Sequence, residues 1–204
     1  MLGWQPLNLK AIAVGLGLIL SVLATNVEAG VFGWLKRTEI QWSPEVHGVI
    51  VEHDKPVVNI EVKRRLYYDG KERYDSVTTD DTGHFYFPRK TLKVRRVLFD
   101  VSIALELYVV DYPSKSEEDQ VFRLSTLNDL DYRSVDFVMS DIRCELTAEA
   151  KVDELKNLEI PGNSAPNIRS KCTFAHAEIA LYSDEEIEQQ RLELERIIDK
   201  QEGF

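Results

Sequence analysis

Along residues 46–110 apolar and polar side chains alternate in short runs separated by turn-forming residues, the pattern of half-buried β-strands. Val49 and Val51 precede Asp54-Lys55-Pro56, Ile60 and Val62 follow it, and Phe85 to Phe87 come after Asp80-Asp81-Thr82-Gly83. The spacing predicts strands over Val46 to Val51, Val58 to Val62, Tyr74 to Thr79 and Phe85 to Phe87. The apolar run Val97 to Val110 tolerates a helix, but Val101, Ile103, Leu105 and Leu107 fall on alternate positions and favour a strand. Further strands are expected at Val121 to Leu124, Ser134 to Ser140, Ile142 to Leu146 and Phe174 to Tyr182. Between the last two, Val152, Leu155 and Leu158 recur at helical intervals, which predicts a short helix or an ordered loop over residues 148–158.

The pattern changes at Ser183. Ser183 followed by Glu186 is a capping box, and acidic residues in the first turn suit the helix dipole, so a helix is predicted over residues 183–201. Ile187, Leu194 and Ile198, with Leu192 and Ile197 beside them, form one apolar stripe. Packing on the chain's own sheet is the first expectation; docking to a partner or self-association is the other. The fold expected is mainly β, an antiparallel β-sandwich with a C-terminal α-helix.

Certain residues carry a resemblance. Gly48-Val49-Ile50-Val51, Lys55-Pro56-Val57, Val62 and Thr78-Thr79-Asp80-Asp81-Thr82-Gly83-His84-Phe85-Tyr86-Phe87 resemble the carboxypeptidase regulatory-like domain, whose fold is a transthyretin-like β-sandwich. That family has a strand, a turn carrying G-x-P, a second strand and a closing T-D-x-x-G-x-F-x-F; here Asp54 stands where the turn glycine usually does. A wider likeness, from Trp42-Ser43-Pro44 through Cys144-Glu145-Leu146, is to a family of small exported bacterial proteins built on this sandwich. The resemblance implies an envelope location and a binding or spacer role rather than catalysis.

The N-terminus adds a compartment. Lys10, the apolar and glycine run Ala11 to Ala24, and the small-residue site Val27-Glu28-Ala29 read as a secretory signal peptide over residues 1–29, with an uncleaved anchor as the alternative. The organisation expected is signal 1–29, a β-sandwich with an aromatic lead-in over 30–182 and an acidic helix over 183–204. The product would be periplasmic, with no membrane insertion after cleavage. In an oxidising compartment Cys144 and Cys172 read as one disulfide, worth about 3–4 kcal/mol, with free or redox-active thiols as the other reading. The net charge of −10 disfavours nucleic acid and anionic membrane surfaces as partners. A basic protein suits it, as does simple solubility.

Chemistry is sparse. His47, His53, His84 and His176 show no metal-ligand spacing, and the Asp80, Asp81 and His84 cluster reads first as an Asx turn and second as a weak cation site. Asp131-Tyr132-Arg133-Ser134 approaches the Tyr-Arg-Gly-Ser terminus of the transthyretin-related hydroxyisourate hydrolases, but the glycine is absent and the segment is internal. No phosphate loop, nucleophile elbow or H-E-x-x-H helix is present. The expectation is a non-enzyme without metal or cofactor that binds another protein, most specifically an immunity-type inhibitor of a secreted effector toxin. Its candidate contact residues are Trp34, Trp42, Ile187, Leu194 and Ile198. A structural or carbohydrate-binding envelope component is the alternative, with Trp34, Trp42, Tyr67, Tyr68 and Tyr74 as a sugar-stacking face. An enzyme of unknown class is the third.

Overall fold

Val62, Leu66 and Tyr68 alternate with Lys63, Arg65 and Tyr67, and the strand they build, β4 (Glu61–Tyr68), buries the first set and turns the second outward. The computed structural model describes residues 37–95, 100–112, 118–128, 130–160 and 165–202. The predicted signal, Trp34, and residues 113–117 and 161–164 lie outside these. The chain divides into two compact units, Met1–Thr38 with Val94–Val97, and Glu39–Lys93 with Leu98–Phe204. Of the first only Arg37, Thr38, Val94 and Arg95 are among the described residues.

The second unit holds two larger sheets. In one, β4 lies between β5 (Lys71–Thr78) and β8 (Ser102–Val110), and β9 (Glu118–Leu127), β12 (Asn167–Ser170) and β11 (Lys151–Glu154) continue it, all antiparallel. Leu107 pairs with Phe122 and Tyr108 with Gln120, so Val121 is an extra residue in a β-bulge, and both Val121 and Phe122 point into the core.

The other sheet is built around β2 (Val46–Glu52). β3 (Lys55–Pro56) and β6 (His84–Phe87) pair along it antiparallel, and β10 (Ile142–Glu145) pairs with it in parallel, followed by β13 (Cys172–Phe174). A two-stranded ribbon of β1 (Arg37–Ser43) and β7 (Lys90–Arg95) completes the strands.

The inner faces of the sheets meet where Arg64 lies over the Phe87 ring at 4.6 Å and Phe122 meets Phe174 edge-on at 6.4 Å. Val46, Ile50, Phe85, Phe87, Ile103 and Leu105 are buried between them, so the mainly β expectation holds. Two glycines are required by contact. A Cβ on Gly48 would sit 2.5 Å from the Phe85 ring, and one on Gly83, at φ +78°, would sit 2.8 Å from the Ile50 carbonyl. The turn after β2 has His53 and Asp54 both left-handed, at φ 50° and 62°, so Asp54 takes the conformation that a turn glycine would.

Cys144 and Cys172 stand opposite each other on β10 and β13 and are joined in a disulfide. α1 (Arg133–Met139) lies between β9 and β10 in the chain, and α2 (Ala177–Ala180) and α3 (Asp184–Glu202) follow β13.

Four expected elements differ. The strand expected over Val58 to Val62 begins only at Glu61 and runs to Tyr68, because Asn59 is left-handed at φ 54° and Val58 is exposed. Residues 133–139 are a helix, not a strand, because Ser134, Val135, Val138 and Met139 bury one helical face. Lys151–Glu154 is a strand, because pairing with β12 takes it and leaves Val152 exposed. The strand expected over Phe174 to Tyr182 stops at Phe174 and gives way to α2, where alanines carry little β preference.

Candidate functional site

Trp42 is a core residue. It is 4% exposed and its indole Nε1 donates to the Tyr67 carbonyl at 3.1 Å, which corrects its candidacy as a surface contact. Of the three tyrosines, Tyr68 is buried on the inner face, whereas Tyr67 and Tyr74 share the outward face of β4 and β5, where Tyr74 donates to Glu72 and lies under Lys63.

The buried charges Arg64 and Glu106 are taken up structurally. Arg64 is wholly buried, and its Nε and Nη2 donate to the Asp75 carboxylate at 3.0 and 2.7 Å while Nη1 donates to Ser43 Oγ and the Pro88 carbonyl, each at 2.9 Å.

 Lys90 reaches the same carboxylate at 2.8 Å. Burial pushes the Asp75 carboxyl up, but the hydrogen bonds from Arg64 and Lys90 outweigh it and hold the group below the usual carboxylate range. Glu106, buried on β8, receives Arg65 at 2.6 Å and the Tyr108 hydroxyl at 2.7 Å. Sequence reading missed Arg64. The signal was a cation at an inward position of the Val62, Leu66, Tyr68 alternation.

Two further carboxylates hold turns. Glu145 accepts from the His53, Asp54 and Thr147 amides at 3.0–3.1 Å and from the Thr147 hydroxyl at 2.7 Å. Burial raises its pKa, yet these donors outweigh it and bring the group down to about 2. Asp80 accepts from the Thr82 amide and hydroxyl and the His84 amide, which is the expected Asx turn.

His47 and His84 lie on the outward face of β2 and β6, beside a cleft of about 500 Å³ also lined by Glu45, Arg89, Asp136 and Asp141. His47 stacks against Tyr86 at 4.6 Å between ring centres, and Arg89 is tied to Gln41 and Asp136. Among the described residues no group of three or more His, Cys, Asp or Glu side chains is placed to hold a metal ion.

The helix α3 carries the remaining candidates. Its capping box is formed in both directions: the Ser183 amide donates to Glu186 at 2.8 Å and the Glu186 amide donates to Ser183 Oγ at 3.2 Å. Lys156 pairs with Glu186 at 3.0 Å and fixes the first turn to the domain. Ile187 is half-buried, but from Glu188 to Lys200 every residue is exposed. The stripe therefore does not pack on the chain's own sheet: Leu194 is 58% exposed and Ile198 44%. Arg191 donates to Glu188 and Glu195, bracing the helix along one side.

The fold and site together define a disulfide-linked, mainly β domain with an exposed amphipathic helix at its C-terminal end. Residues 46–149 match the family described as Domain of unknown function (DUF6795), and the chain belongs to that family. The matched segment runs from β2 to just beyond β10 and contains Cys144 but neither Cys172 nor α3. No curated protein and no solved structure matches the chain. Among the described residues no helix is long and apolar enough to cross a membrane.

Proposed function

We propose that the protein is an exported, non-catalytic binding module that engages another protein in the periplasm through α3. The observation that carries this reading is the stripe Ile187, Leu194 and Ile198, anchored at its start by the capping box and Lys156 and exposed to solvent beyond it. An apolar stripe held in water costs free energy that docking recovers. The disulfide is compatible with an oxidising compartment, and residues 1–29 have the pattern of an export signal. The narrowest form of the proposal is an immunity-type inhibitor that neutralises a secreted antibacterial effector.

The test is co-purification with a toxin encoded beside the gene, together with survival of cells exposed to it. A stable complex and protection, both lost in Leu194→Glu with Ile198→Glu, are the expected results. Neither a complex nor protection would overturn the inhibitor reading, and a complex indifferent to both substitutions would overturn the role of α3.

A further inference from the structure

We infer that the partner of α3 is a cationic protein whose apolar groove is bordered by basic side chains, rather than a second copy of this chain. The inference rests on the protein-binding reading above and names the chemistry of the partner. Two of the stripe residues, Ile187 and Leu194, are each flanked by glutamates, in Glu186-Ile187-Glu188 and Glu193-Leu194-Glu195. Successive helix positions are rotated by about 100°, so these carboxylates form a negative border on both sides of the apolar stripe. On one side Arg191 partly neutralises Glu188 and Glu195; on the other, Glu186 is paired with Lys156, while Glu193 has no ion pair among the described residues.

Self-association meets an electrostatic obstacle. Ile187, Arg191, Leu194 and Ile198 follow the 4-3-4 spacing of a coiled-coil seam, so a second copy docked antiparallel would set one Glu188 beside the other's Glu195. Like charges so placed repel. A groove with lysine or arginine along its edges instead satisfies both borders while it covers Ile187, Leu194 and Ile198, and the chain's net charge of −10 favours its approach.

The experiment places a photo-crosslinking residue at Leu194 of the full chain in the cells that make it, with one at Gln189 on the opposite face as control. The crosslinked protein is then produced and titrated against the wild type and two variants. The expected adduct forms only from position 194, with a different protein of basic surface. Its affinity falls roughly tenfold or more in Leu194→Ala. In the triple variant Glu188→Gln, Glu193→Gln and Glu195→Gln it also falls about tenfold, with a weaker salt dependence. Circular dichroism checks that each variant keeps its helix.

A different protein bound with no dependence on salt or on the three glutamates would overturn the cationic-partner inference and leave the protein-binding reading standing. An adduct with a second copy or with the chain's own residues 11–24, or no adduct, would overturn both.

Discussion

Arg64 and Asp75 face each other directly across the β4–β5 hairpin, and the guanidinium is buried while the carboxylate keeps some contact with water. Removing the carboxylate leaves a charge in the core, so Asp75→Ala is expected to cost about 3–5 kcal/mol in urea unfolding. Arg64→Met replaces the charge with an apolar chain of similar length and leaves Asp75 paired with Lys90, so its cost is expected to be smaller. Glu145 gives a pH-dependent counterpart. Its pKa falls from 4.5 to about 2 on folding, so its contribution is complete above pH 4.5 and disappears as pH falls toward 2. Glu145→Gln is expected to lose about 1–2 kcal/mol at neutral pH, and its difference from the wild type to close over that window in denaturation curves measured at successive pH values.

At the scale of elements, α3 and the β2–β6 core were legible because one period dominates each. The capping box of Ser183 and Glu186 marks the start of the helix, and Phe85 and Phe87 alternate with His84 and Tyr86 as the pairing with β2 requires. Residues 133–139 satisfy two periods at once: Val135, Phe137 and Met139 alternate, while Ser134, Val135, Val138 and Met139 share a helical face, and only tertiary burial chooses between them. For β11 the deciding contact is β12, more than ten residues away, which no local pattern reveals. The capping box has its own test. Ser183→Ala is expected to lower the stability of α3 by about 1 kcal/mol, seen as lost helical circular dichroism with the sheet's unfolding midpoint unchanged.

Across the whole molecule, the two cysteines were legible as a pair from number and compartment, and the structure puts them on neighbouring strands 28 residues apart in sequence. Reduction is expected to cost about 3–4 kcal/mol, measured by unfolding with and without reductant. Of the candidate site, the stripe was legible from its spacing, whereas its exposure was not, since an amphipathic pattern does not say whether the chain itself covers the apolar face. The burial of Trp42 was hidden for the same reason: an aromatic side chain suits either a core or a surface. The central claim, that α3 is the surface this protein uses to hold another, is tested most directly by amide hydrogen exchange of the full chain alone and in complex with the protein crosslinked at Leu194. The prediction is slowing by roughly tenfold or more over residues 188–200, with little change around His47 and His84. Protection confined to the sheets or to that cleft, with α3 exchanging as fast as in the free protein, would contradict it.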